Sequence, residues 1–176
     1  MAEKLPVELL QTILDQALYV LDEDFEDVSP VSPFSRATSS SVDILQVCTR
    51  WNMVGLPLLY KTVIIRSSAQ ARALGTTLVR HASLGRLVRM FRLEASYESF
   101  TPAVLANITN VIHVALPLDR EDSTPHPTDI EFILEQWRPP RLSLITYRQG
   151  TGSSLSIPVY TLLEKFLSHL PLVRHI

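Results

Sequence analysis

Tyr60-Lys61-Thr62-Val63-Ile64-Ile65 opens the part of the chain that decides its fold. Three later stretches repeat its spacing: Val88-x-x-Phe91-x-Leu93, Val111-x-x-Val114-x-Leu116 and Leu142-x-x-Ile145-x-Tyr147. Val173-x-x-Ile176 begins a fifth. Apolar residues two apart share one side of a β-strand, so each stretch reads as a short strand. Central positions 63, 91, 114, 145 and 176 follow at intervals of 28, 23, 31 and 31 residues. Helical spacing fills the intervals, as in Ala71/Leu74/Leu78/Ala82 and Leu162/Leu163/Phe166/Leu170. Thr101-Pro102 adds an N-cap followed by a first-turn proline. A strand-plus-helix unit has one apolar face that it buries only by stacking on its neighbours. An ordinary βα alternation without a true repeat is the alternative reading.

Working outward toward the N-terminus, the period changes. Leu5–Leu21 reads as a helix, with Pro6 tolerated in its first turn and Glu8 complementing the dipole. Its apolar side chains fill about half the circumference, more than the ~100° arc that covers one core. Val42–Asn52 reads as a second helix with an equally wide arc, broken by Gly55 and Pro57 before a short helical turn at Leu56–Tyr60. Two arcs this wide predict one face for the domain and another for a second protein. Between the helices, Asp22-Glu23-Asp24-Phe25-Glu26-Asp27 leads into Val-Ser-Pro-Val-Ser-Pro and a Ser-rich run, which predicts a disordered insert over about 22–41. Ser29-Pro30 and Ser32-Pro33 have the form of proline-directed phosphate acceptors; a solvated insert without regulation is the plainer reading.

Charge divides the chain at the same place. The net charge is −2 over 176 residues, with −6 up to Tyr60 and +4 after it, so no overall electrostatic drive toward nucleic acid exists. The single Cys48 excludes an internal disulfide or a Cys-based zinc site, and on an apolar helix face it reads as an inert thiol. No apolar run approaches the ~18 residues of a membrane span, and the N-terminus lacks a signal core. The expected location is a reducing compartment, cytoplasm or nucleus, where the Asn107-Ile108-Thr109 glycosylation pattern is accidental. His81, His113, His126, His169 and His175 are scattered without metal-ligand spacing. There is no Gly-x-Ser-x-Gly, and the loop Gln149–Ser154 lacks the Lys of a phosphate loop. No enzyme, cofactor or metal is therefore expected.

Leu5-Pro6-Val7-Glu8-Leu9-Leu10-x-x-Ile13-Leu14, then Leu45-x-Val47-Cys48-x-Arg50-Trp51 and Leu58-Leu59-Tyr60, resembles the F-box. The intervals of the following array lie near the ~20–29 residues of leucine-rich repeats, although the Asn or Cys that usually follows each strand is missing. The whole resembles the F-box proteins with degenerate leucine-rich repeats that are abundant in mushroom-forming fungi. The resemblance implies an α+β chain: a three-helix F-box at 5–60, then an incomplete α/β leucine-rich-repeat-like solenoid with parallel strands at 61–176. Ending within the fifth strand, the array is expected to be truncated, or to be the first part of a longer one.

In function, the resemblance implies docking onto a Skp-type adaptor, and through it a cullin, in an SCF-type E3 ubiquitin ligase, with the repeats holding a protein substrate. The adaptor contacts would map onto Leu5, Pro6, Leu9, Leu10, Ile13, Leu14, Val47, Cys48 and Trp51; for each, packing within the domain is the alternative. The family has a handful of residues where this chain has 23 between Leu18 and Val42. Lengthening such a loop costs only about 1.4 kcal/mol in closure entropy, so the helices still pair. With Val88, Phe91 and Leu93 turned inward, Arg89, Arg92, His113 and Arg148 line the open face of the array as a patch for an acidic or phosphorylated segment; charges that merely keep the sheet soluble are the alternative. A repeat module working outside any ligase, a non-functional fragment and a small α/β enzyme are the competing readings.

Overall fold

The computed structural model describes residues 5–27, 29, 31–36, 41–94, 102–119 and 133–146. Helix α1 spans Val7–Leu18. Pro6, at φ −52° and ψ 146°, precedes it and accepts the Leu10 N–H at 3.1 Å. The helix stops three residues short of the expected Leu21 because Tyr19 turns extended.

The second helix differs from expectation. It divides into α3 (Ser41–Leu45) and α4 (Thr49–Lys61), and the break falls at residues 46–48 rather than at Gly55. Cys48 is extended, at φ −165° and ψ 168°, and its carbonyl accepts the Asn52 N–H at 3.0 Å to start α4. Gly55 is a packing site: a β-carbon there would collide with Leu45 and press on Leu14. The helix also runs through Pro57, which is exposed and forfeits one intrahelical bond. Arg50 Nη2 donates to the Leu5 carbonyl near the start of α1, and Asp15 faces Lys61 at the end of α4. The two helices therefore run in the same sense.

Strands β1 (Thr62–Ile65), β2 (Met90–Leu93), β3 (His113–Asp119) and β4 (Arg141–Thr146) form one parallel sheet in chain order. An interleaved order would have marked a doubly wound fold. Each crossover carries helix: α5 (Ser68–Arg80) and α6 (Ala82–Gly85), then α7 (Pro102–Asn107), then helical residues 133–137. Ser67 caps α5 by accepting the Gln70 N–H. At Gly85 a side chain would strike the Asn107 carbonyl, so glycine lets two crossovers touch. The protein is a mixed α+β chain built on this four-stranded sheet.

Register confirms two of the three alignments expected between these strands and shifts the third; the alignment with Ile176 lies outside the described residues. Val63 pairs Phe91, and Phe91 pairs Val114, but Val114 pairs Leu142 rather than Ile145. Ile145 belongs to the opposite face. Three residues before Leu142 stands buried Pro139, in the approach to the strand, so the alignment by apolar spacing slipped by three. The helix-side face carries Val63, Ile65, Phe91, Leu93, Val114, Leu116, Leu142 and Leu144 against Ala71, Leu78, Leu105, Ile133, Leu134 and Trp137. Phe91 and Trp137 meet edge to face at 4.8 Å.

The described residues of the insert do not form the disordered loop expected over 22–41; residues 28, 30 and 37–40 lie outside the description. Asp22–Glu26 forms helix α2, Pro33–Arg36 forms a 3-10 turn, and Phe25 is fully buried. One aromatic ring with a surface to land on is enough to anchor a segment whose composition reads as solvated. The helix expected at Val159–Leu170, the strand at Val173 and the end of the array lie outside the described residues. Among the described residues, no helix is long and apolar enough to cross a membrane.

Candidate docking surface and the covered sheet face

Helix α1 presents two apolar arcs. Successive residues are 100° apart around a helix, so Leu9 and Ile13 lie on a different line from Leu10 and Leu14. Leu10 and Leu14 are fully buried with Leu45, while Leu9 is 54% and Ile13 46% exposed. Pro6 is exposed and Leu5 half-buried. Val47 is 57% exposed, because it sits in the link between α3 and α4 rather than on a helix face. Cys48 and Trp51 are half-buried, and the Trp51 indole N–H is buried without an acceptor among the described residues. Of the nine residues assigned to adaptor contact, Leu10 and Leu14 are thus interior. Pro6, Leu9, Ile13 and Val47 are open to a partner.

The expected open face of the sheet is closed. Arg92 and His113 do share it, since β2 and β3 are in register there, but both are buried beneath the insert. Arg89 precedes β2, is exposed, and donates to the Asn110 carbonyl at 3.4 Å. Arg148 lies outside the described residues. In their place stand Arg141 and Ser143 on β4, brought level with His113 and Ala115 by the three-residue shift. Aligning β4 on Leu142 would have exposed them in the sequence.

Around Arg92 the contacts are polar and specific. Its Nε donates to Glu94 Oε1 at 2.7 Å, and its Nη1 donates to the Phe25 carbonyl at 2.6 Å and to that of Asp24 at 3.4 Å. The Phe34 ring lies 5.6 Å from the guanidinium carbon, within cation–π range. Ser32 Oγ donates to the same Glu94 oxygen at 2.8 Å. Arg92 Nη2, in contrast, is buried and bonded to nothing among the described residues. A buried donor left unpaired costs about 1–3 kcal/mol.

Around His113 the insert supplies an anchor and a charge. The Phe25 ring stacks obliquely on the imidazole at 4.8 Å. Glu26 pairs with Arg141 and comes within 3.5 Å of His113 Nε2, which also meets Ser143 Oγ at 2.8 Å. Burial, seconded by the Arg141 charge, holds the His113 pKa below its usual value, against the opposing pull of Glu26 and Asp22. The imidazole is therefore neutral at pH 7 and needs Ser143 as its hydrogen-bond partner. At the solvent edge, Ser29 donates to the Asp27 carboxylate and lowers its pKa.

Compared with family models, with curated proteins and with solved structures, the chain matches none.

Proposed function

We propose that the protein is a non-enzymatic adaptor whose helical part, 5–60, docks as an F-box on a Skp-type subunit of a cullin–RING ubiquitin ligase. In this reading the βα array beginning at 61 is leucine-rich-repeat-like and holds a protein substrate; the transfer chemistry belongs to other subunits. The observation that carries the reading is the doubled apolar surface of α1, with Leu10 and Leu14 spent on the interior and Leu9 and Ile13 left about half exposed. Soluble proteins that expose apolar patches use them in contacts, and burying such side chains contributes roughly 1.5–3 kcal/mol each when complete. The insert supports the reading by its position: it leaves α1 after Leu18 and lands on the sheet, not on the outward line of Leu9 and Ile13.

Co-purification with a Skp-type adaptor tests it. The parent chain is captured, and a Leu9→Ala/Ile13→Ala variant is captured at least tenfold less. Failure of the parent chain to be captured removes the ligase reading and leaves a repeat module that works elsewhere.

A further inference from the structure

We propose that residues 22–27 and 31–36 are the resident occupant of a peptide site on the sheet, and that a partner's acidic segment with one aromatic anchor takes their place. The proposal rests on the reading of the repeats as the partner-binding part, and adds the class of segment bound and the fact of an internal competitor.

Three observations carry it. The cover is held by features that any short acidic segment can offer: two main-chain carbonyls on Arg92, one ring on His113 and one carboxylate facing Arg141 and His113. Its apolar hold is thin: among the described residues Phe25 clusters with Ala115 and Ile145, and half-buried Val20 and Met90 pack against that cluster. The fit is also incomplete, because Arg92 Nη2 points a buried donor at no acceptor among the described residues. A tethered segment acts at an effective concentration in the mM range, so even an imperfect occupant holds the site in cis. A partner segment that brings a carboxylate or phosphate oxygen to Nη2 makes the bond that the cover omits, and a charge-assisted bond of this kind is among the stronger ones. The occupant is thus a peptide of the cover's own chemistry, improved at one position.

The test is a fluorescence-anisotropy titration of a labelled synthetic peptide, residues 20–36 of this chain, with the full chain and its Phe25→Ala variant. An Arg92→Ala change is avoided because it strands the Glu94 carboxylate in the interior. The peptide binds the Phe25→Ala chain at least tenfold more tightly than the parent chain, whose own cover excludes it, and a peptide carrying Phe25→Ala loses that binding. Glu26→Ala, at a half-buried position, is the second variant and raises peptide affinity several-fold without touching the ring. Equal affinity of parent and folded variants, or indifference to the peptide's phenylalanine, overturns the proposal. Capture by the Skp-type adaptor, measured on the same preparations, separates the two ideas: peptide binding without capture removes the ligase reading alone, and capture without peptide binding removes this proposal alone.

Discussion

The two faces of the parallel sheet are made by alternate residues of the same four strands, yet they are covered in different ways. On one face, helices supplied by every crossover interlock with Val63, Phe91, Val114 and Leu142, and fifteen buried apolar residues form one cluster among the described residues. On the other, a single segment from before the sheet lays one phenylalanine over Ala115 and Ile145, and the rest of its hold is hydrogen bonds and charge. Apolar burial is non-directional and scales with area, so the first face is a core that opens only when the chain unfolds. A face held mainly through polar contacts to a tethered strap opens at far lower cost, because water and other segments can make the same bonds. The difference teaches that exposure of a strand's alternate residues depends on what the rest of the chain lays over them.

Substitutions can break or sharpen this contrast. The largest effect is expected at Phe91→Ala, which leaves a void against Trp137 and costs about 3–5 kcal/mol in urea unfolding. Gly85→Ala follows at roughly 1–3 kcal/mol, since the new methyl meets the rigid Asn107 backbone rather than a yielding side chain. Phe25→Ala is expected to cost less than Phe91→Ala even though both rings are fully buried, because its loss is capped by the free energy of undocking the cover. Amide exchange should then rise in 22–27 while the helix-side core keeps its protection. Equal costs for the two phenylalanines would make the faces equivalent and dissolve the distinction.

A smaller effect is expected from pH. Because the folded state holds His113 below its ordinary value near 6.5, the unfolded chain binds the proton first. Stability therefore shows no dependence on this group above pH 6.5 and falls as pH drops below it, until the native imidazole protonates as well. The groups facing it are Glu26 and Asp22 from α2, and Arg141 and Ser143 from β4. Thermal melts between pH 7.5 and 5.5 check this, and His113→Gln flattens that part of the profile. The smallest effect belongs to Leu9→Ala/Ile13→Ala, whose outward side chains leave stability within about 0.5 kcal/mol per site by the same unfolding assay.

The strands were legible because alternation forces one residue in two inward: Val63/Ile65, Phe91/Leu93 and Val114/Leu116 all fall as their spacing predicts. Leu142 and Ile145 are both apolar and three apart, so spacing alone could not say which stands level with Val114. In the helical part, Gly55 and Pro57 carry the composition of a break, but tertiary packing overrides them, while the real break at residues 46–48 contains neither. The insert was the least legible piece. Its six-residue acidic stretch, Asp22–Asp27, holds a single ring, and nothing local to that ring reveals that a pocket formed by His113, Ala115 and Ile145 waits some ninety residues later. Half of the docking surface could be read directly, since two lines of leucines on one helix imply two destinations; which line goes inward is settled only by the partners α3 and α4 provide.

Tyr19 to Leu21 are all that separates α1 from α2. Four Cα–Cα steps reach at most roughly 14 Å, so a displaced strap remains on a short leash beside the helix that bears Leu9 and Ile13. Its return is then quick and local, and any visitor to the sheet keeps its seat only by outlasting a rival that never leaves the room.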